Sequence, residues 1–326
     1  MTTSSAMSTP EHRHNPPVSR DVAIGVVGAT GAVGPVTLDL LRERGYENVR
    51  AFASARSAGK QLGGLSVEEA TPEALSAGDL DLCLFSIGTA ASLELVPHAV
   101  RGGAVAIDKS SAYRLQDGIP LVVPEVNGER ALEHDGIVAN PNCASIPLTC
   151  VLNPLHDAVG LARVRLATYQ SASGAGTKRM ERLRAQDPAE GDLAMDWEFD
   201  EESKLRAETR KILELPELPV SATCVRVPVM VGHAESVWIE TVEPVSPEQV
   251  RQLLAAAPSV RLEEFPTPRA AAGEDDVLVG RIRADRAAES NGIALFLACD
   301  NLRKGAALNA VQIAELILAR QPVTVS

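Results

Sequence analysis

The sequence is poor in aromatic residues, in basic charge and in long apolar runs. Aromatic side chains make up 3% of its 326 residues, which leaves few surfaces on which nucleic-acid bases could stack. The net charge of -12 opposes binding to a phosphate backbone, so we predict no nucleic-acid partner. No apolar run approaches the ~20 residues that span a bilayer, so we predict no membrane partner.

Cysteine is scarce and shows no metal-binding spacing. The five cysteines are odd in number and include no Cys-x-x-Cys pair. This usage predicts a reduced, cytoplasmic protein with neither a disulfide framework nor a metal site. Residues 1–20 are polar and contain no hydrophobic segment, so we expect a disordered tail rather than a signal peptide.

Short β-branched runs alternate with helical periodicity over the first part of the chain. The predicted strands and helices lie at 21–27, 36–44, 49–53, 80–86, 90–101 and 104–108. Repeated β-α-β units with short glycine-containing turns predict an α/β fold with a Rossmann-type doubly wound parallel sheet.

The pattern changes after residue 143. Two long stretches, 162–171 and 220–245, alternate apolar and polar residues and predict an antiparallel or mixed sheet. A charged helix is predicted between them at 201–213. Residues 301–320 are predicted to form one amphipathic helix.

A glycine-rich turn directly follows the first predicted strand. Gly28 permits a tight turn, Gly31 lets a diphosphate approach the backbone, and Gly34 lets the helix pack on the strand. The spacing Gly-x-x-Gly-x-x-Gly is a variant of the usual dinucleotide fingerprint. A purely structural turn is the alternative.

The type of nucleotide is indicated about 20 residues further on. An NAD site normally has an acidic residue there, whereas this chain has Ser54, Arg56 and Ser57. A guanidinium and two hydroxyls suit a 2′-phosphate, so NADP is predicted. The alternative is that Arg56 is an ordinary surface arginine.

Cys143 follows Asn140-Pro141-Asn142 and precedes the apolar, helix-like run 146–152. This placement puts its sulfur near unpaired amides at the positive end of a helix dipole, which favours the nucleophilic thiolate. Together with the glycine turn, it predicts an acyl-enzyme that is reduced by hydride. An inert buried thiol is the alternative.

Three polar residues interrupt the apolar strands of the second half. Gln170 ends a strand, Arg226 carries a charge that is costly to bury without a partner, and His233 can act as a general acid/base near neutral pH. Strict strand alternation places Arg226 and His233 on opposite faces. They share a site only if Pro228 or Gly232 breaks the strand.

One face of the charged helix carries Glu201, Lys204, Glu208 and Lys211 at spacings of three and four residues. This spacing alone is typical of a ladder of surface ion pairs that each contribute a few tenths of a kcal/mol.

Together these motifs resemble the aspartate-β-semialdehyde dehydrogenase family over about residues 22–321. The matching strings are Gly-Ala-Thr-Gly-Ala-Val-Gly at 28–34, Ser-Ala-Arg-Ser-Ala-Gly-Lys at 54–60, Val-Pro-Glu-Val-Asn at 123–127, Asn-Pro-Asn-Cys at 140–143, Tyr-Gln-Ser-Ala-Ser-Gly-Ala-Gly at 169–176, Cys-Val-Arg-Val-Pro-Val at 224–229 and Asp-Asn-Leu-Arg-Lys-Gly-Ala-Ala-Leu-Asn-Ala at 300–310. The resemblance implies a reversible reaction in which L-4-aspartyl phosphate and NADPH give L-aspartate 4-semialdehyde, phosphate and NADP.

The resemblance also implies a role for each matching residue. Cys143 would be the nucleophile, His233 the acid/base, and Gln170 would orient the intermediate. The substrate would be bound by Arg226 at its α-carboxylate, Glu201 at its ammonium, Lys204 and Arg114 at its phosphate, and Asn142 beside the thiol. NADP would contact Gly28, Thr30, Gly31, Ala32, Val33, Gly34, Ser54, Arg56, Ser57, Gly174 and Asn301.

The implied domains are a dinucleotide-binding unit formed by 21–142 with 301–326, and an α+β unit of 143–300 for catalysis and dimerisation. The chain departs from the family pattern at Lys109, where asparagine is usual, and at Ala144, where serine or threonine is usual. The segment between Gly176 and Glu201 is several tens of residues short. We expect a homodimer, with a homotetramer as the alternative.

Two other functions stay open on the sequence alone. One is the same chemistry on another acyl phosphate, as in a paralogue or a relative of N-acetylglutamyl-phosphate reductase, which the short segment favours. The other is a non-catalytic nucleotide-binding or assembly protein.

Overall fold

The computed structural model of the protein describes residues 20–185, 196–197, 199–288 and 291–320. Residues 1–19 of the predicted N-terminal tail and residues 321–326 of the predicted dinucleotide-binding unit lie outside the described residues. Within the described ranges, no helix is long and apolar enough to cross a membrane.

The first half of the chain forms a seven-stranded sheet. Its elements are β1 (Ile24–Val27), α1 (Gly34–Glu43), β2 (Val49–Ala53), β3 (Gln61–Leu62), β4 (Leu65–Glu69), α2 (Pro72–Leu75), β5 (Leu82–Phe85), α3 (Thr89–Arg101), β6 (Val105–Asp108), α4 (Pro124–Asn127) and β7 (Ile137–Ala139). The strand order is β3-β4-β2-β1-β5-β6-β7, and every pair except β3-β4 is parallel. The chain reverses its winding direction between β1 and β5, which confirms the doubly wound sheet and marks its ligand-binding crevice.

The second half forms a second seven-stranded sheet. Its elements are α5 (Ser145–Val159), β8 (Leu161–Gln170), α6 (Thr177–Ala185), β9 (Asp196–Trp197), α7 (Phe199–Ile212), β10 (Val220–Arg226), β11 (His233–Thr241), α8 (Pro247–Ala256), β12 (Val260–Leu262), α9 (Pro268–Ala271), β13 (Val277–Ala284) and β14 (Gly292–Cys299). The order is β12-β13-β14-β11-β8-β10-β9. Because β8 and β10 are parallel while β11 runs antiparallel to β8, the predicted mixed sheet is confirmed.

The two faces of the second sheet differ in burial. Val164 and Leu166 of β8 and Val237 and Ile239 of β11 lie in a core cluster that also contains residues of α5 and α7. The alternate residues of the same strands are exposed or half-buried. This is the period-2 alternation seen in the sequence.

The C-terminal segment differs from the prediction of one continuous helix. Residues Arg303–Leu308 form a π-helix, and α10 (Asn309–Arg320) follows it. The wider turn coincides with a buried ion pair: Lys304 is fully buried, and its Nζ lies 2.7 Å from both carboxylate oxygens of Glu125. A single π turn of this kind is frequent at functional sites, and here it lies beside Cys143.

The predicted domain boundaries stay a prediction.

Candidate active site

A cavity of about 570 Å³ lies between the two sheets, at the carboxyl ends of β5, β6, β8 and β10. Twelve of the predicted site residues line it: Gly31, Ala32, Val33, Arg114, Asn142, Cys143, Gln170, Gly174, Glu201, Lys204, Arg226 and Asn301. The structure therefore brings the glycine turn, the thiol and the polar ends of the second-sheet strands to one place.

Cys143 is held in the connection between β7 and α5. The Asn142 side chain accepts a hydrogen bond from the Ala144 amide at 2.8 Å, while the Asn142 amide donates to Glu208 at 2.6 Å. On the other side, Gly305 of the π-helix packs closely against Cys143, since a Cβ on Gly305 would lie 3.1 Å from the Cys143 Cβ. The backbone on both sides of the thiol is thus fixed.

The sulfur of Cys143 lies 3.1 Å from His233 Nε2. Burial, followed by the Glu201 carboxylate, raises the pKa of the Cys143 thiol to about 12, and Arg226 and Arg114 act in the opposite direction. Burial, followed by Arg226, lowers the pKa of His233 to about 3. The pair is therefore a neutral thiol and a neutral imidazole.

This corrects the prediction of a preformed thiolate. The helix begins where the sequence placed it, but burial and the Glu201 carboxylate oppose the charge on sulfur. The motif reports only the dipole, because the burial and the carboxylate arise from elements that are distant in sequence.

The strand break required for Arg226 and His233 to meet is present. β10 ends at Arg226, β11 begins at His233, and β8 lies between the two strands in the sheet. Arg226 is in register with Gln170, and Ala234 is in register with Tyr169, the residue before Gln170. Gln170, Arg226 and His233 are therefore neighbours at one end of the sheet.

The loop after β8 packs closely against this end of the sheet. Arg226 Nη1 donates to the Ser171 carbonyl at 2.7 Å. A Cβ on Gly174 would lie 2.7 Å from Arg226 Nη1 and 2.9 Å from His233 Cε1. Gly174, which was predicted only as a cofactor contact, is therefore also needed for packing.

The charged face of α7 is not the predicted ladder of surface ion pairs. Glu201 accepts a hydrogen bond from Asn142 Nδ2 and pairs with Lys204 at 3.3 Å inside the cavity. Glu208 is fully buried, and the Lys211 ammonium donates to three backbone carbonyls rather than to a carboxylate. The charged face of α7 therefore packs against the site. Glu201, Glu208 and Lys211 each bond to residues outside α7.

Arg114 and Lys109 bring positive charge to the cavity from the loop after β6. Arg114 donates to the carbonyl of Asn140 at 3.0 Å and to the Glu208 carboxylate at 2.9 Å. Lys109 donates to the Ser86 hydroxyl at 2.9 Å, and burial lowers its pKa to about 8, opposed by Asp108. Glu208 was missed as a site residue, because its buried contacts with Arg114 and the Asn142 amide are to residues that are distant in sequence.

The glycine turn is shaped to accept a diphosphate. Gly28 has φ 90°, and a Cβ there would lie 2.3 Å from the Ser86 carbonyl oxygen. A Cβ on Gly34 would lie 2.2 Å from the Ala29 carbonyl oxygen, whereas one on Gly31 would meet only the Gly28 carbonyl oxygen, at 3.3 Å. The first and third glycines are therefore required by packing and the second keeps the cradle open, as a bound dinucleotide requires.

The residues predicted for the 2′-phosphate lie beyond the end of β2. Arg56 and Ser57 belong to a short 3₁₀ turn, Ala55–Ser57, and Ser54 and Arg56 are exposed. Asn301 lines the cavity, and its side chain is buried and hydrogen-bonded to Ser171, Ser173 and the Gly232 amide, so its role as a cofactor contact stays a prediction. Among the described residues, no cluster of three or more His, Cys, Asp or Glu could hold a metal ion.

A doubly wound sheet with an open glycine cradle, facing a thiol and an imidazole across one cavity, places the chain among nucleotide-binding oxidoreductases. Residues 23–134 match the family model of the semialdehyde dehydrogenase NAD-binding domain. Residues 152–196 and 190–304 match the model of the semialdehyde dehydrogenase dimerisation domain. The chain belongs to the semialdehyde dehydrogenase family.

Relatives of known sequence or structure agree with this assignment. An aspartate-semialdehyde dehydrogenase of Streptomyces akiyoshiensis is 44% identical over 335 residues, which cover 91% of this chain and 98% of that protein. The structure of aspartate semialdehyde dehydrogenase II from Vibrio cholerae complexed with ASA is 39% identical, with a TM-score of 0.86 over 93% of this chain and 99% of that one. A Candida albicans aspartate semialdehyde dehydrogenase with NADP is 25% identical, with a TM-score of 0.76 over 91% of this chain and 98% of that one.

Proposed function

We propose that the protein catalyses the reversible, NADP-dependent reductive dephosphorylation of L-4-aspartyl phosphate to L-aspartate 4-semialdehyde, through a thioester on Cys143. The observation that carries the proposal is the 3.1 Å contact between the Cys143 sulfur and His233 Nε2, in a cavity shared with the glycine cradle. The 44% identical Streptomyces relative and the Vibrio structure complexed with ASA support the choice of substrate.

The charges around the cavity suit an amino acid derivative that carries a carboxylate, an ammonium and a phosphate. Arg226 would bind the α-carboxylate and Glu201 the α-ammonium. Lys204 and Arg114 would bind the phosphate. Because the chain carries a net charge of -12, this local group of cations is what would hold an anionic substrate.

Acylation moves one proton in two transfers, from the thiol to His233 and from His233 to phosphate. The Cys143 sulfur bonds to the acyl carbon, its proton moves to His233 Nε2, and the acyl carbon–oxygen bond to phosphate breaks. His233 then passes the proton to the departing phosphate oxygen, which leaves with the bonding electron pair. Gln170 would hold the carbonyl oxygen in place during the attack.

The bound cofactor would supply a hydride to the thioester carbon. The resulting thiohemiacetal oxyanion on Cys143 collapses as its carbon–sulfur bond breaks, which releases the semialdehyde and leaves a thiolate. A proton from solvent, delivered through His233, restores the thiol. One proton is consumed in each turnover toward the semialdehyde.

The cofactor would lie in the cradle of Gly28, Gly31 and Gly34, with Thr30, Ala32 and Val33 along the turn. Ser54, Arg56 and Ser57 would receive the 2′-phosphate. The Michaelis constants for NADP and NAD test this choice, and we expect the constant for NADP to be clearly lower. A preference for NAD would refute the assignment.

The protein would act as a homodimer in the cytoplasm. The match to a dimerisation-domain model supports this. Tyr169, Trp238 and Phe296 lie half-buried on the side of the second sheet away from the core, where they would meet a second copy. Size-exclusion chromatography with light scattering should give twice the 34.4 kDa chain mass, and a monomer or tetramer would contradict the dimer.

One assay tests the proposed function. Phosphate-dependent reduction of NADP should occur with aspartate semialdehyde and should be lost in Cys143→Ser. Absence of wild-type turnover would refute the proposed reaction, and turnover in Cys143→Ser would refute the thioester mechanism. Turnover with N-acetylglutamate semialdehyde alone would favour the paralogue alternative.

A further inference from the structure

Ser171 contacts the site histidine through both its backbone and its side chain. It is fully buried directly after β8. Its amide nitrogen lies 3.0 Å from His233 Nδ1, and its hydroxyl oxygen lies 3.1 Å from the same ring nitrogen. A single ring nitrogen therefore faces one backbone donor and one hydroxyl of the same residue.

The two contacts favour different forms of the neutral imidazole. When Nδ1 accepts from the Ser171 amide, the ring proton is on Nε2 and points toward Cys143. When Nδ1 carries the proton and donates to the Ser171 hydroxyl, the Ser171 amide loses this acceptor and Nε2 presents a lone pair to Cys143. His233 can thus offer the sulfur either a proton or a lone pair without moving its ring.

Asn301 fixes the direction of the Ser171 hydroxyl. The Gly232 amide, which can only donate, lies 2.9 Å from Asn301 Oδ1, so this side-chain atom is an acceptor. The Ser171 hydroxyl donates to the same Oδ1 at 3.0 Å. The Ser171 oxygen therefore keeps lone pairs that can accept from His233, and the Ser173 hydroxyl lies 3.0 Å from the same oxygen.

We propose that Ser171 is the positioning residue that lets His233 exchange tautomers, with its hydroxyl supporting the base form and its amide supporting the acid form. The inference rests on the proposed roles of Cys143 and His233, because attack by the thiol needs a lone pair on Nε2 and the later return of a proton to sulfur needs a proton there. Asn301 acts through Ser171 and does not touch the thiol.

Nitrogen-15 NMR of histidine-labelled protein measures the tautomer directly and needs no turnover. The chain has six histidines, and the His233 signals are assigned by their loss in His233→Gln. We expect averaged Nδ1 and Nε2 shifts in the wild type, which report both tautomers, and a shift to the Nε2-protonated form in Ser171→Ala. Ser171→Thr keeps the hydroxyl and should restore the mixture. Ser173→Ala is the control that removes a neighbour of the Ser171 hydroxyl but leaves that hydroxyl in place, so it should keep the mixture.

Kinetics provide a second readout. Ser171→Ala should lower kcat about 100-fold, the lower end of what general acid–base catalysis contributes, while the KM for NADP stays unchanged. A single pure tautomer in the wild type, or the wild-type mixture in Ser171→Ala, would overturn the inference. If the NMR result holds but no turnover occurs, the proposed function fails and the tautomer exchange stands.

Discussion

Glu208 joins the loop that carries the nucleophile to the loop that carries the predicted phosphate-binding arginine. Its carboxylate accepts from Arg114 Nη1 at 2.9 Å and from the Asn142 amide at 2.6 Å, and its side chain is 1% exposed. The substitution Glu208→Gln keeps the size and shape of the side chain and removes its charge. It therefore isolates the electrostatic part of the contact.

The expected loss of stability follows from these two hydrogen bonds. A glutamine has one acceptor oxygen, so it can serve only one of the two donors, and its amide group then faces the other donor. A buried donor without a partner costs about 1–3 kcal/mol, and breaking a buried ion pair costs about 3–5 kcal/mol. Arg114 keeps two backbone carbonyl partners, those of Asn140 and Lys109, which offset part of the loss. We expect the free energy of unfolding to fall by about 3 kcal/mol.

Urea denaturation of Glu208→Gln and Glu201→Gln compares the same chemical change at two sites on α7. The Glu201 side chain is 18% exposed and pairs with a Lys204 that is 34% exposed, so its removal should cost about 0–1 kcal/mol. The KM for phosphate should rise in Glu208→Gln, because Arg114 loses its charged partner. A difference in unfolding free energy below about 1 kcal/mol between the two variants would refute the assignment of a buried ion pair.

Three further predictions follow from the geometry of the cavity. Alkylation of Cys143 by iodoacetamide in the absence of substrate should be slow at neutral pH and rise about tenfold per pH unit, since the thiol pKa is about 12. Glu201→Gln removes a negative charge that opposes the thiolate, so it should accelerate the alkylation. An unchanged rate in Glu201→Gln would count against the effect of Glu201 on the thiol. Gly174→Ala places a methyl group 2.9 Å from His233 Cε1 and should lower kcat about 100-fold, whereas a wild-type kcat would show that the loop can move aside. Lys109→Met should raise the KM for phosphate about tenfold or more, because Lys109 brings a positive charge to the cavity. The wild-type KM for phosphate should rise above about pH 8, where Lys109 loses its proton. A KM that is flat with pH and equal in both proteins would exclude a contact between Lys109 and phosphate.

Much of the fold could be predicted because its signals are local. The runs at 49–53 and 104–108 became β2 and β6 with a difference of at most one residue, since a short β-branched segment between turns has few other ways to bury itself. The glycine turn was also readable, because close backbone approach and positive φ leave little choice of residue.

What the sequence could not predict depends on partners that are distant along the chain. Glu208 meets Arg114 across 94 residues, and Lys304 meets Glu125 across 179. Neither pairing changes the local spacing, so α7 was read as a surface ladder and the π-helix as ordinary helix. Ser171 carried no signal of its own, because its significance arises only when β11 brings His233 beside it.

The correction at Cys143 changes how the site must work. A thiol whose pKa is raised to about 12 beside a neutral imidazole is protected from adventitious chemistry but is not yet a nucleophile. Among the named side chains, Glu201 is the charge that opposes ionisation, and it is also the predicted partner of the substrate ammonium. Binding an ammonium there would cancel that opposition while Arg226 and Arg114 continue to favour the thiolate. Activation of the nucleophile would then depend in part on the substrate, while burial, the larger cause of the raised pKa, would remain.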